Sequence, residues 1–492
     1  MEFGSILQFL EKKTVLVTGG AGFLAKILVE KILRSQPNVK KLYLLLRAPD
    51  KNSANQRLRN EIIGKDLFKV LKQNMGSNFS TFVSEKVTMI PGDITCEDLA
   101  IEDPRLKEEM WKTIDIIINL AATTNFDERY DVSLYLNTFG AKNVLDFAKK
   151  CNGIKVLVQV STAYVSGETT GLILEDPYRE GDTLNGEPGL DIEKEKTLVL
   201  QKLNELRLEG ATDDSIKSAM KDLGIQRARK YGWPNVYVFT KAMGEMILLQ
   251  FKSELPLVII RPTIIISTYK EPFPGWIEGI RTVDSLVIGY GKGRLTFFPG
   301  DPESVVDLIP ADMVVNAIIV AMVAQVSQPS LEPVIYQVGS SVRNPVRIST
   351  IHNVAHRYFM EHPWTNKDGK VVTVGKVKVL SSMASFHRYI MIYYLVPLKG
   401  LEIANTTFCQ YFRSQYQELS RKISFVLRLI DLYRPYLFFK GIYDDINTQK
   451  LRMAARESGV EMDVFYFDPK DIHWENYLFN THFPSVVKYL LK

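Results

Sequence analysis

The sequence predicts an α/β protein: a doubly wound parallel sheet followed by a smaller, mainly helical C-terminal domain. Three observations carry this. Over the first 160 residues short β-branched runs alternate with longer helical patterns. The runs are apolar almost throughout, as strands are when helices cover both faces of a sheet. A glycine-rich turn joins the first run to the first helix, the arrangement that opens a βαβ unit.

Taken in order, Thr14–Thr18 reads as a strand, Phe23–Ser35 has apolar residues at helical spacing, and Lys41–Leu46 is a second strand. Val87–Pro91, Ile114–Leu120 and Lys155–Ser161 add three more, with a helix over Val132–Lys150 between the last two, and Leu257–Ile260 is a sixth. From 167 to 234 the pattern turns charged and helix-favouring, as in Asp191–Lys196, which predicts an insertion between sheet elements. Glu361–Val371 is polar and broken by Pro363 and Gly369, so we expect a boundary there that separates 1–365 from 366–492. Beyond it the chain is aromatic and helical, without strand alternation.

At 492 residues the chain has length for about two to four domains. Its 61 Lys+Arg against 56 Asp+Glu leave a net charge of +5, which with no nucleic-acid motif argues against a nucleic-acid partner. Three cysteines cannot build a disulfide framework and lack metal-ligand spacing; Cys96 and Cys151 read as buried thiols. His352 and His356 share a helical face, but no third ligand accompanies them, so no metal is expected. The first residues show neither a secretory nor a plastid signal pattern, and the expected compartment is the cytosolic side.

No stretch reaches the roughly 20 apolar residues needed to span a bilayer. Between Arg388 and Lys440, however, eight basic residues against three acidic ones are interleaved with aromatics. Three readings stand: a helical core with a solvated basic face, a surface lying on a membrane, or a platform for substrate.

The chemistry begins at Thr18-Gly-Gly-Ala-Gly-Phe-Leu-Ala25, between the first strand and the first helix. Gly19 permits a tight turn, Gly22 lets the backbone approach a pyrophosphate, and the N–H groups of the helix start, at Phe23 and Leu24, face that anion. This is the dinucleotide turn of a Rossmann-type sheet. After the second strand stands Arg47 with no acid before Asp50, and a guanidinium there suits the 2′-phosphate of NADP(H). Asp93 after the third strand is placed to accept from the adenine amino group, and small Ala121 after the fourth lets the chain pass close to the nicotinamide.

The second signal is Tyr237-Val-Phe-Thr-Lys241 at the start of a helix. The i,i+4 spacing puts phenol and ammonium on one face, where the cation is expected to lower the phenol's pKa. With the hydroxyls of Ser161 and Thr162 closing the fifth strand, this makes a Ser/Thr–Tyr–Lys acid–base constellation.

These residues resemble the extended short-chain dehydrogenase/reductase family. The runs Val17–Leu24, Val160–Val165, Tyr237–Glu245, Thr268–Trp276 and Val306–Met313 narrow the resemblance to alcohol-forming fatty acyl-CoA reductases of the plant type, over nearly the whole chain. The resemblance implies NADPH-dependent reduction of a long-chain acyl-CoA to the primary alcohol through an aldehyde, with two NADPH consumed. It implies Tyr237 as catalytic tyrosine, Lys241 as the lysine that orients the cofactor ribose, and Thr162 as the hydroxyl, with Ser161 adjacent. A nucleotide-sugar epimerase or dehydratase would share the first domain without needing the aromatic C-terminal one, and a non-catalytic NADP(H)-binding protein would share only the glycine turn.

Overall fold

The computed structural model describes residues 4–251, 254–328, 334–366 and 368–491. Seven parallel strands form the sheet: β1 (Thr14–Thr18), β2 (Lys41–Leu46), β3 (Val87–Pro91), β4 (Ile116–Asn119), β5 (Val156–Val160), β6 (Leu257–Pro262) and β7 (Val334–Val338). Their order is β7-β6-β5-β4-β1-β2-β3. The chain runs outward through β2 and β3 and then returns beside β1 with β4, with Val15 opposite Ile116 and Thr18 opposite Asn119. The β1/β4 boundary is therefore the switch point, where the carboxyl ends of strands leave an open crevice.

Strands β1, β4, β5 and β6 are buried along their whole length, which explains their continuous Val/Ile/Leu runs. One helix, Ala311–Ser327, is apolar all round and buried from Ala311 through Gln325. Such a helix must be covered on both sides. The sheet and the Phe23–Ser35 helix cover one side. The other is closed by the C-terminal segment, whose Leu451, Phe465 and Phe467 join the same apolar core, and Asn316 donates to the carbonyl of Tyr466 at 2.8 Å. Residues on both sides of position 365 thus share one core.

The insertion supplies two helices, Ile192–Leu208 and Asp213–Lys230, packed on the helix Val236–Gln250. Four short two-stranded pairings lie outside the alternation read from sequence, and two of them draw on the region after 366. Lys378–Leu380 runs parallel to Phe297–Pro299, and Gly441–Tyr443 parallel to Gly171–Ile173. The region after 366 is therefore not purely helical: two three-residue strands in it are held by partners far away in the chain.

Candidate active site

Over the ends of β1 to β4 lies a crevice of about 260 Å³ lined by Gly19, Gly22, Arg47, Arg57, Asp93 and Ala121 among others. Gly19 has φ +65°, and a Cβ there would sit 2.9 Å from the Cα of Ala121, so both conformation and space demand glycine. Gly22 caps the Phe23–Ser35 helix with no side-chain bond, leaving its first N–H groups free toward the crevice. Thr18 works from behind. Its buried hydroxyl accepts from the N–H groups of Leu120 (3.2 Å) and Ala121 (3.1 Å), which fixes the loop after β4 against the turn after β1.

Asp93 accepts from the N–H of Thr95 at 2.9 Å, forming a turn that leaves the residue on the crevice wall. Arg47 is exposed at the rim. A second guanidinium, which the sequence reading missed, stands beside it: Arg57 donates to the Arg47 carbonyl at 2.7 Å and is bidentate to Glu61. Phe23 and Leu24 give only their backbone to this side. The Phe23 ring turns away to stack on Trp276, centroids 5.1 Å apart.

The helix Val236–Gln250 is capped by Asn235, whose side chain accepts from the N–H of Val238 at 3.1 Å. Tyr237 follows two residues on, with Lys241 one turn later. Thr162 begins the turn after β5, and its hydroxyl is in hydrogen-bonding reach of Tyr237. Ser161 does not join them. Its buried Oγ has no hydrogen-bond partner, and alternation along an extended chain sends it to the opposite face from Thr162.

The Lys241 ammonium donates to the carbonyl of Val160 at 2.7 Å, tying the helix to the end of β5. Burial lowers its pKa to about 8 despite the carboxylate of Glu245, and burial pushes the Tyr237 phenol up to about 12 despite the Thr162 bond. The expected lowering of the phenol by the ammonium is overturned. Desolvation dominates, and the ammonium is spent on a backbone carbonyl.

Two family models, both described as male sterility protein, match residues 17–318 and 393–492. The chain is 63% identical over 490 residues to an alcohol-forming fatty acyl-CoA reductase of Simmondsia chinensis, covering 100% of this chain and 99% of that protein. It is 53% identical to fatty acyl-CoA reductase 1 of Arabidopsis thaliana, over 99% of each.

The chain belongs to the fatty acyl-CoA reductase family. It is an oxidoreductase whose first domain binds a nicotinamide dinucleotide. A reductase domain of a nonribosomal peptide synthetase from Mycobacterium tuberculosis shares its fold at a TM-score of 0.58 and 17% identity, over 99% of this chain and 93% of that one.

In this reductase the roof over Tyr237 comes from far away in sequence. Phe126, in the loop after β4, stacks on Tyr237 at 5.7 Å and touches Tyr433 at 5.4 Å and Tyr436 at 5.3 Å, both on the long helix Arg413–Leu437. The Nδ2 of Asn235 donates to the Tyr436 hydroxyl at 2.8 Å, so the residue that caps the helix of Tyr237 also holds the roof. Asp127 accepts from Arg428 at 2.7 Å and from Lys221 at 2.9 Å, and Arg229 pairs with Asp431 at 2.7 Å. Arg428 therefore fastens the roof from its solvent-exposed side.

Under the same helix lie two apolar cavities of about 460 and 130 Å³ that share Thr282, Leu286, Leu295, Phe298, Tyr433 and Leu437. The signals for these residues were weak: an Asn before an apolar helix is a cap, but nothing local marks Phe126 or Tyr436 as its neighbours. Cys151 is buried as expected, its thiol pushed up to about 12 by burial, whereas Cys96 is exposed. Cys96 was read as buried because cysteine usually is; it lies in the exposed turn after β3. His356 shares a hydrogen bond with Tyr290 at 2.9 Å.

Proposed function

We propose that this chain reduces a long-chain acyl-CoA to the primary fatty alcohol and free CoA, with two NADPH, on the cytosolic face of the endoplasmic reticulum. The observation that carries the reading is one chain of rings: Tyr237 lies under Phe126, and Phe126 touches Tyr433 and Tyr436, which line the apolar cavity.

The crevice fits a dinucleotide, because glycine at position 19 lets the turn close against Ala121 and the start of the Phe23–Ser35 helix has no side-chain cap, which leaves its first N–H groups for an anion. Gly22, Phe23 and Leu24 would hold the pyrophosphate, Arg47 the 2′-phosphate, Asp93 the adenine, and Lys241 the ribose, with Ala121 beside the nicotinamide. When bound, the cofactor supplies a hydride. The chain's own part is electrostatic. Tyr237 and Thr162 donate to the oxygen on which negative charge develops, each donor worth about 3–4 kcal/mol in comparable sites. A phenol with a pKa near 12 stays protonated at neutral pH, which suits it to give a proton to the aldehyde oxygen in the second reduction. The apolar cavity takes the acyl chain and excludes water.

Extraction of lipids from a heterologous host that expresses the chain should show accumulated long-chain alcohols. Incubations with UDP-sugars should leave those substrates unchanged; conversion of a UDP-sugar without alcohol would replace this reading by the epimerase one. Tyr237→Phe should lose most alcohol formation while NADPH binding persists, since only one hydroxyl leaves. Near-normal turnover by that variant would remove the proposed proton donor.

A further inference from the structure

The larger of the two apolar cavities runs along the helix Arg413–Leu437, which lines it from Leu419 to Leu437. Its two ends differ. At one end Tyr433 borders the smaller cavity as well and touches Phe126, whose ring stacks on Tyr237. At a rise of about 1.5 Å per residue, Lys422 stands about 16 Å along the helix axis from Tyr433.

Among the described residues only two charged side chains line this cavity, Lys422 and Arg294, and both are exposed. They therefore mark where it opens to solvent. Arg294 has no ion-pair partner among the described residues. Lys422 bonds to Glu418 at 2.6 Å, an exposed pair one helical turn apart that adds little stability and is easily exchanged for another anion. The wall beside the opening has the same sign: Lys378–Leu380 pairs with Phe297–Pro299, and from Gly369 to Leu401 the chain carries five basic residues and no acidic one. An apolar, low-dielectric wall next to these cations concentrates their field at the opening.

A straight chain that ends in a methyl group leaves that opening to water. One that ends in a carboxylate sets its methylenes against the apolar wall and its charge beside Arg294 and Lys422. The length agrees. An extended chain advances about 1.2 Å per bond, so about 13 bonds cover the way from Lys422 to Tyr433, and ring contacts of 5.4 and 5.7 Å lead on to Tyr237.

We infer that the substrates of this reductase include long-chain acyl-CoAs whose far end is a second carboxylate, held by Arg294 and Lys422 while the thioester lies at Tyr237. The inference rests on the proposed function and names a substrate class for the same site. The reaction balances as it does for a plain chain. Two hydrides from two NADPH reach the thioester carbon, one proton reaches its oxygen and one the departing sulfur, and the C–S bond breaks to release CoA as the thiol. The far carboxylate is unchanged, so the product is an ω-hydroxy acid.

The experiment compares kcat/KM of the full chain for two acyl-CoAs of equal length, one ending in a carboxylate and one in a methyl group. Arg294→Gln with Lys422→Gln should lower the ratio of carboxylate-ended to methyl-ended turnover about fivefold or more, and added salt should lower the wild-type ratio in the same direction. Arg294→Glu with Lys422→Glu should turn the preference toward a chain ending in an ammonium group. A wild type that rejects the carboxylate-ended chain, or variants that change both substrates by the same factor, overturn the inference. Both positions are exposed, and matched melting temperatures exclude a folding defect. A second arm needs no turnover: the length-matched ω-hydroxy acid and plain alcohol displace a fluorescent polyene fatty alcohol from the chain, and the glutamine variant should weaken only the ω-hydroxy acid. Equal displacement constants in wild type and variant would sink the carboxylate site. A chain that passes this binding arm but reduces no acyl-CoA would fail the functional reading and leave the site standing, whereas one that makes plain alcohols and treats both chain ends alike would fail the inference alone.

Discussion

Lys241 combines a cost with a use. Burial takes its pKa from the ordinary lysine value down to about 8, so the folded chain loses this proton at a pH where the unfolded chain still holds it. Between about 8 and the unfolded value near 10.5 the group makes stability rise with pH; below 8 its charge is a fixed penalty. Lys241→Met should therefore be inactive yet more stable at neutral pH by about 1–3 kcal/mol, read from urea unfolding. If the ammonium is needed for turnover, kcat should fall as pH rises through 8, and Lys241→Arg should move that limb to higher pH. A wild-type profile flat from 7 to 9.5 would exclude the role. Arg47 can be separated from Arg57 in the same way: Arg47→Ala should raise the KM for NADPH at least tenfold and leave that for NADH within twofold, whereas equal effects would make the residue structural. At this scale the sequence showed which residue types meet. Alternation along an extended chain already separates Ser161 from Thr162, but the sequence could not show that a lysine one turn from a tyrosine would bond to a carbonyl, because that depends on Val160, distant in the chain.

The helix Val236–Gln250, which carries Tyr237 and Lys241, is positioned by contacts that its own sequence only hints at. Gly244 lies where a Cβ would come within 2.4 Å of the Asn137 carbonyl, so the helix can touch the segment Leu134–Phe139 only with glycine there. Asn137 bonds to Thr240 at 3.0 Å and to Thr123 in both directions, which carries the loop of Phe126 into register with Tyr237. On the other side Glu245 receives a bidentate bond from Arg261 of β6, closest approach 2.6 Å, with both side chains almost fully buried. Removing one partner leaves the other charge uncompensated, so Glu245→Ala or Arg261→Ala should destabilise the chain by about 3–5 kcal/mol. Replacing both by Met should cost much less, and equal losses for the single and double variants would show that shape, not charge, holds the helix. The six strands read from sequence were legible because each is an apolar run. β7, as long as β1 but interrupted by Gln337, was missed, and so were the three-residue strands, since a run of three has no period to read and pairs only through tertiary contact.

At the scale of the whole molecule, the segment Met383–Leu437 has two faces. One closes the roof and the cavities through Tyr433 and Tyr436, with Arg428 pairing Asp127 at the edge. The other exposes Met391, Ile392, Tyr393, Val396, Phe408 and Tyr411, the last 80% exposed, with Arg388, Arg413 and Arg421 in the same segment. Apolar and aromatic side chains left in water beside basic ones match an anionic bilayer surface. Among the described residues no helix is long and apolar enough to cross a membrane, so contact through these helices would be peripheral. Ile390, Tyr394 and Ile423 of this segment also line the larger cavity, which places its wall beside the surface from which an acyl chain would come. Two contributions should then be separable. Basic residues near an anionic leaflet give about 1 kcal/mol each and are screened by salt, whereas inserted aromatics are not. Arg388→Gln with Arg413→Gln and Arg421→Gln should weaken flotation with phosphatidylserine-containing vesicles at low salt only. Tyr393→Ser with Val396→Ser and Tyr411→Ser should weaken it at every salt concentration, and both triple variants should keep their turnover of short, soluble acyl-CoA. Wild-type protein that stays at the bottom of the gradient in low salt would end the membrane reading. Loss of soluble-substrate turnover in the aromatic variant would instead make this face part of the substrate channel.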